Sequence, residues 1–372
     1  MNDLLKKYER EIEYCSYCPK LCRFSCPVAK VTCSEASTPT GKMTILKLAK
    51  DGVIEFNAEV AELLYQCSGC ILSRTYCEHN IEVIGAFEAG RAIAVEKGVA
   101  PKRVLEFGTA FQKSGNPYGE SFGKNLTELA GKSVCEKEKG RALIFSGCTM
   151  AHYFPQTLKD LVRVLEHLNF SFNLLAEDDI CCGYPLFALG LWKILEEHKQ
   201  RLAQKITGYD QIISVCPTCV WFLKTHYLKS GLIQVGEIRH TTEFILERLG
   251  QLKLRDKISE RIVYHDPCHL GRYLGIYDQP REILKWMSVN GFKEFYESRE
   301  RSECCGGGGG LALSHPRIAR EISRHKILQF QQLGGQILAT ACPMCERMLG
   351  RSGKEAGIKV RDLISLLAER IE

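Results

Sequence analysis

The sequence predicts an α+β or α/β protein in which a helical N-terminal domain precedes two duplicated α/β units. Three observations lead to this prediction: a duplicated cysteine pattern, short apolar runs ahead of its cysteines, and helical periodicity in the first hundred residues. Corresponding cysteines of the two copies lie 120 to 126 residues apart, so the pattern is an internal repeat. The first copy contains Cys148, Cys181, Cys182, Cys216 and Cys219, and the second contains Cys268, Cys304, Cys305, Cys342 and Cys345.

Helical periodicity defines the N-terminal domain, residues 1–100. Apolar residues recur at helical spacing over Met43–Lys50 and Ala58–Tyr65, and again over Glu82–Leu105 with an interruption at Pro101. This spacing predicts several amphipathic helices that pack around one core.

A further group of cysteines lies within this helical domain. Three closely spaced thiols followed by a remote Cys-Pro are typical of two-cluster ferredoxins, in which the last cysteine of each motif binds the other cluster. The pattern therefore predicts a ferredoxin-like domain. One 4Fe–4S cubane would be bound by Cys15, Cys18, Cys22 and Cys77, and a second by Cys67, Cys70, Cys26 and one further ligand.

The further ligand of the second cluster departs from the ferredoxin pattern. Ser73 stands where cysteine is expected, and Glu78 stands where proline is expected after Cys77. Three alternatives remain open. The site could hold a 3Fe–4S cluster with three thiolates, Cys33 could replace the missing ligand, or Ser73 could bind through oxygen, which suits a soft iron–sulfur site less well.

Residues 101–140 are predicted to be a helical and linker segment, because residues 114–140 are rich in Gly, Lys, Asn and Ser. Cys135 falls in this segment, belongs to no motif and is expected to be structural.

The two α/β units are predicted to span residues 141–256 and 257–372. In each, a short apolar run leads into the first cysteine and another leads into the Cys-x-x-Cys pair, so we expect cysteines at the carboxyl ends of parallel strands. Gly183 and the run Gly306–Gly310 supply backbone freedom beside the adjacent cysteines. We expect close backbone approach there, the alternative being a flexible surface loop. The predicted strands are Ala142–Phe145, Ile212–Val215, Ile262–Tyr264 and Gln336–Ala339.

Iron–sulfur ligation explains these cysteines better than disulfides or zinc do. No secretory signal is recognisable and the cysteine number, 19, is odd, which argues against disulfides. Two zinc ions would use four thiols each and give the adjacent cysteines no function. A zinc-stabilised scaffold without redox activity nevertheless stays as an alternative.

Composition indicates a soluble, cytoplasmic protein. The hydrophobic share of 45% and the charged share of 25% are ordinary, and no apolar run approaches the roughly 20 residues of a membrane span. The formal charge of +6 assumes neutral thiols. Four oxidised clusters with thiolate ligands would bring it to about −2, so we expect no nucleic-acid partner.

In this cysteine pattern the chain resembles proteins with paired CCG domains, such as the D subunit of heterodisulfide reductase. It is similar too to the iron–sulfur subunits of glycolate oxidase and anaerobic glycerol-3-phosphate dehydrogenase. The stretch from His265 to Arg272 and the Cys-Cys-Gly-Gly run strengthen the resemblance, which covers nearly the whole chain. It implies a noncubane 4Fe–4S cluster in one or both CCG domains, with zinc as an alternative in one. The implied ligands are the five cysteines of each copy.

The resemblance implies two kinds of function. One is an electron-transfer subunit that partners a flavoprotein 2-hydroxy-acid dehydrogenase or a membrane quinone-reactive or cytochrome subunit, at the inner face of the membrane. The other is a disulfide reductase, in which the adjacent pairs would be catalytic and a proton donor is needed. His265 and His269 are candidates by their proximity to Cys268. The adjacent pairs are Cys181 with Cys182 and Cys304 with Cys305.

Overall fold

The computed structural model describes residues 2–119, 126, 142–175 and 181–372. Most of the predicted linker lies outside these residues, and so does Cys135. The described beginning of the segment is the helix Lys102–Ser114, which follows Pro101 and ends at Gly115 in the left-handed conformation.

The N-terminal part of the chain is helical, as its periodicity predicts. Thr38 begins the helix Pro39–Lys50 by accepting a hydrogen bond from the Gly41 amide, so this helix starts earlier than the apolar spacing indicates. The pattern over residues 82–105 corresponds to two helices separated at Pro101, as predicted. The helices before residue 120 are Asn2–Lys6, Glu9–Ser16, Pro27–Thr32, Pro39–Lys50, Ala58–Tyr65, Leu72–Thr75, Ile84–Glu96 and Lys102–Ser114, with a 3₁₀ turn at Arg23–Ser25.

The first repeat contains a four-stranded parallel sheet with strand order β2-β1-β3-β4. The strands are β1 Ala142–Ile144, β2 Asn173–Leu174, β3 Gln211–Ser214 and β4 Glu237–His240. The central pair, β1 and β3, is the pair that the apolar runs predict. The helices are Cys148–Tyr153, Pro155–His167, Tyr184–Ala188, Trp192–Ile206, Pro217–Leu223 and Thr241–Leu246, and a π-helical segment spans Lys224–Leu228.

The second repeat forms a sheet of the same topology, β6-β5-β7-β8, with all neighbours parallel. Its strands are β5 Ile262–His265, β6 Phe292–Glu294, β7 Ile337–Thr340 and β8 Lys359–Asp362. The equivalent order confirms the duplication and the α/β class of both units. The helices are Asp278–Met287, Leu311–Ser314, Pro316–Gln332, Pro343–Glu355 and Leu363–Ala368, with a π-helical segment at His269–Tyr273.

The two repeats pack together through one helix near the end of the second repeat and one near the start of the first. The helix Leu363–Ala368 lies against Pro155–His167, where Ser365 Oγ is 2.6 Å from Asp160 Oδ2 and 3.0 Å from Thr157 Oγ1. One hydrophobic cluster extends from Leu5 to Ile371, so the N-terminal helices and both repeats share a core. Within the described ranges, no helix combines the length and the apolar character that crossing a membrane requires.

Candidate metal centres

In the first repeat, the loops after the central strands bring the cysteines of the motif together. Cys148 begins a helix after β1, and Cys216 follows β3 as the N-cap of the helix Pro217–Leu223. The Sγ atoms of Cys148 and Cys181 are 3.8 Å apart, and the Gly183 amide donates a hydrogen bond to Cys181 Sγ at 3.5 Å. All five cysteines of this copy are buried.

Neighbouring thiols in this first site control one another's acidity. Hydrogen-bond contacts with Cys148 and Cys182 raise the pKa of Cys181 well above its ordinary value. Burial alone would raise the pKa of Cys182 as well, but hydrogen bonds from Cys181 and Cys219 outweigh it and lower that pKa. Contacts with Cys182 and Cys216 raise the pKa of Cys219. The five thiols therefore form one series of neighbours, which runs from Cys148 through Cys181, Cys182 and Cys219 to Cys216.

The second repeat builds a matching site. Cys305 Sγ lies 3.2 Å from Cys345 Sγ, and the Gly306 amide donates a hydrogen bond to Cys304 Sγ at 3.2 Å. Hydrogen-bond contacts with Cys268 and Cys305 raise the pKa of Cys304 well above its ordinary value. Contacts from Cys304 and Cys345 lower the pKa of Cys305. Cys342 interacts with Cys345, so this copy also gathers all of its motif cysteines.

The two candidate histidines lie at different edges of the second site. His265 is buried at the end of β5, and one of its ring nitrogens lies within 4.8 Å of both Cys305 Sγ and Cys345 Sγ. His269 Nδ1 is 3.4 Å from Cys268 Sγ, and the His269 ring stacks on Tyr273 at 4.3 Å. His269 is therefore the histidine that contacts Cys268. His265 lies near Cys305 and Cys345, at the other end of the thiol series.

The first N-terminal group also comes together around buried sulfur. Burial raises the pKa of Cys15 to about 12, with further increases from Cys22, Cys18 and Cys77, while Thr40 Oγ1, 3.9 Å away, acts in the opposite direction. Burial likewise raises the pKa of Cys22 to about 11, and Cys77 and Cys18 raise it further. These are the four cysteines that the spacing assigns to the first cubane.

The second N-terminal group surrounds a small cavity. Cys26, Cys67, Cys70 and Ser73 line it together with Lys42. Cys33 lies elsewhere: its side chain is exposed, and its Sγ is 3.6 Å from the carbonyl oxygen of Lys30 in the same helical turn. The geometry thus gives three thiols and one hydroxyl at this cavity, and it leaves Cys33 on a surface groove.

The N-terminal cysteine loop meets the second repeat directly. Cys70 and Cys304 lie in one buried cluster, where the contact with Cys304 lowers the pKa of Cys70 to about 6. The glycine run makes this approach possible, because a Cβ on Gly309 would lie 2.5 Å from the Cys67 carbonyl oxygen. The run therefore serves close backbone approach, and the alternative of a flexible surface loop is wrong, since Gly306, Gly307 and Gly309 are buried.

Three cationic side chains around this junction were not predicted from the sequence. Arg272 Nε donates a hydrogen bond to the Cys70 carbonyl oxygen at 2.7 Å. Lys42 and Arg91 are buried beside the Cys67–Cys70 loop. Arg91 could have been noticed in the sequence, because it is the single arginine of the segment that forms the helix Ile84–Glu96. Most of this helix is buried.

These donor sets fit iron–sulfur clusters. Thiolates are the ligands that iron–sulfur clusters prefer, and each repeat gathers five of them, whereas a structural zinc ion takes four ligands. The sulfur atoms of Cys148 and Cys181 are 3.8 Å apart, and those of Cys305 and Cys345 are 3.2 Å apart. Sulfur atoms at such distances can bind a common polynuclear centre. The cavity with three thiols and Ser73 fits a cluster with an incomplete thiolate set.

Comparisons with known proteins agree with this geometry. A family model described as a cysteine-rich domain (CCG) matches residues 142–224 and 262–350. The B subunit of fumarate reductase (CoM/CoB) from Methanothermobacter marburgensis is 31% identical over 93% of this chain and 70% of that protein. The D subunit of dihydromethanophenazine:CoB–CoM heterodisulfide reductase from Methanosarcina barkeri is 29% identical over 84% and 79%, respectively. An uncharacterized iron-sulfur protein of Methanocaldococcus jannaschii is 30% identical over 99% and 76%.

Proposed function

We propose that this chain, which belongs to the family of iron–sulfur proteins with paired CCG cysteine-rich domains, is an electron-transfer subunit of an oxidoreductase complex. When bound, iron–sulfur clusters supply one-electron carriers. The observation that carries the proposal is the contact between Cys70 and Cys304, which joins the N-terminal thiols to those of the second repeat. We assign the ligands as the spacing predicts, with Ser73 and not Cys33 beside the incomplete N-terminal set.

The side chains support a defined order of electron transfer. Cys22 and Cys26 flank the 3₁₀ turn Arg23–Ser25, which links the two N-terminal groups. Cys70 and Cys304 link the second of these groups to the second repeat. The helix Pro217–Leu223, which carries Cys219, packs against the segment His269–Tyr273, which follows Cys268. The order is therefore first N-terminal site, second N-terminal site, second CCG site and first CCG site, or the reverse.

Aromatic side chains connect the two CCG units. Trp221 follows Cys219 in the same helix, and its ring lies 5.6 Å from His269 and 4.8 Å from Tyr273. His269 is buried and next to Cys268, so these ring contacts join the helix that carries Cys219 to the segment that follows Cys268. We propose that this packing keeps the two sites close enough for electron transfer.

We propose that the physiological partner is a flavoprotein dehydrogenase, with a membrane quinone-reactive or cytochrome subunit as the second component. The relatives named above include proteins that are designated as subunits of larger reductases. The described residues contain no membrane-crossing helix, so we assign any contact with the membrane to such a partner.

A second candidate function is thiol–disulfide reduction. Two observations favour it: both repeats gather all five cysteines, and the relative from Methanosarcina barkeri is named as a heterodisulfide reductase subunit. Breaking a disulfide consumes two electrons and up to two protons and yields two thiols. Two CCG sites could deliver those electrons one at a time.

The deciding experiment is metal and sulfide analysis of anaerobically purified protein, with EPR spectra recorded before and after oxidation in the presence of small thiols. About 15 or 16 irons per chain without zinc would support clusters at all four sites. A thiol-dependent paramagnetic signal would favour disulfide reduction. About 11 or 12 irons with one zinc and no thiol response would favour electron transfer alone. Eight irons or fewer would overturn the assignment of clusters to the CCG domains.

A further inference from the structure

Two cations are enclosed beside the second N-terminal cysteine group. Lys42 is 1% exposed and Arg91 is completely buried. Among the described residues, neither side chain forms an ion pair with a carboxylate. A buried ammonium or guanidinium group without an anion is strongly unfavourable, because the protein interior solvates charge poorly. Two such groups at one place need a common explanation.

Lys42 is directed at the thiols. Its Nζ donates a hydrogen bond to the Ser37 carbonyl oxygen, and Cys26 Sγ lies 3.9 Å from that same oxygen. Lys42 also lines the cavity shared by Cys26, Cys67 and Cys70. The ammonium group is therefore enclosed together with the thiols of the second N-terminal group.

Arg91 occupies the other side of the same loop. Its guanidinium donates hydrogen bonds to the carbonyl oxygens of Leu64, Cys67, Ala188 and Gly309 at 2.5 to 3.1 Å. These bonds satisfy the N–H groups but supply no opposite charge. Glu88, one turn earlier in the helix, does not supply it either, because burial raises the pKa of its carboxyl to about 8.

We propose that Lys42, assisted by Arg91, is the counter-charge of an anionic cluster held by Cys26, Cys67 and Cys70, and that it raises the reduction potential of that site. This inference rests on the proposed function. Reduction adds a negative charge to a cluster, and a fixed cation nearby favours the reduced form. The low dielectric of the enclosed cavity strengthens the effect.

The test is an EPR-monitored redox titration of reconstituted wild-type protein and three variants, K42M, K42R and K50M. K42M replaces the cation by an unbranched side chain of similar length. K50M, at the last residue of the same helix, is the matched control, since Lys50 pairs with the carboxylates of Glu9 and Asp51. We expect K42M to lower the midpoint potential of the second N-terminal site only, while K42R and K50M keep the wild-type value. An unchanged midpoint in K42M with full iron content would overturn the proposal.

A second measurement covers the case in which K42M fails to bind iron. The thermal stability of iron-free K42M is compared with that of iron-free wild type. A counter-charge that lacks its anion destabilises the fold, so iron-free K42M should be at least as stable as wild type. A markedly less stable K42M would indicate a packing role and overturn the proposal. Absence of iron from the wild type would instead contradict the proposed function, which separates the two failures.

Discussion

Cys70 and Cys304 pack against each other in one buried cluster, although one belongs to the helical N-terminal part and the other to the second α/β repeat. The Cys67–Cys70 loop and the loop that begins at Cys304 approach each other backbone to backbone, and Arg272 and Tyr273 bond to carbonyl oxygens of the first loop. The junction is thus built from main chain and side chains of both parts. The proposed electron transfer between the two parts depends on that packing.

Gly309 should be essential for the close approach of these loops. Alanine there has to adopt φ near +60° and place its Cβ 2.5 Å from the Cys67 carbonyl oxygen. We expect G309A to lower the free energy of unfolding by about 2–4 kcal/mol, the sum of left-handed strain and overpacking. Gly52 has a similar φ, and a Cβ added there would meet no neighbouring atoms, so G52A isolates the strain and should cost about 1–2 kcal/mol. If chemical denaturation shows that G309A and G52A lose the same free energy of unfolding, the predicted clash with the Cys67 carbonyl oxygen is relieved without cost.

Ser73 should limit the second N-terminal site to an incomplete thiolate set. S73C restores a fourth thiol at the cavity lined by Cys26, Cys67 and Cys70. If that site holds three irons, we expect the iron content of S73C to rise by about one per chain, and a 3Fe–4S EPR signal to be replaced by a 4Fe–4S signal.

The matched control for S73C is C33S. The Cys33 side chain is exposed and outside the cavity, so C33S should keep the wild-type iron content and spectrum. Loss of iron from C33S would show that Cys33 moves into the site and replaces Ser73 as the ligand.

The central strands could be predicted from the sequence because they depend on local patterns, and cysteine spacing likewise predicted which thiols lie near one another. The strands β1, β3, β5 and β7 are continuous apolar runs that are covered on both faces. The edge strands β2, β4, β6 and β8 were missed. β2 and β6 are only two and three residues long. β4 and β8 contain one apolar residue each among charged and polar ones, as in Lys359–Asp362, which also fits a polar connection.

The junction could not be predicted in the same way. Spacing relates cysteines within one motif, but no spacing rule relates Cys70 to Cys304. The contact depends on how the helical part packs against the second repeat, and the five consecutive glycines gave the only local indication. Lys42 and Arg91 were missed for a related reason: their burial is a property of the assembled fold, and a lysine in an amphipathic helix ordinarily faces solvent.

Glu88 should make stability decrease as the pH rises toward 8. Burial raises the pKa of its carboxyl from 4.5 to about 8. The folded state therefore takes up a proton between these values, and its stability falls as pH rises through the window. E88Q removes this proton uptake, so its stability relative to wild type should increase by up to about 1.4 kcal/mol per pH unit across the window. E96Q, exposed on the same helix, should show no such trend in denaturation at several pH values.

His265 distinguishes the two CCG sites, since Phe145 occupies the corresponding position three residues before Cys148. One ring nitrogen of His265 lies within 4.8 Å of both Cys305 Sγ and Cys345 Sγ, and neither ring nitrogen has a hydrogen-bond partner among the described residues. A hydrogen bond donated by this imidazole to a bound cluster would favour the reduced form. We expect H265F to keep all of its iron, because five thiolates remain, and to shift the second CCG signal to a lower midpoint potential while the first stays constant. A loss of about four irons would show instead that the imidazole is a ligand that the cluster requires.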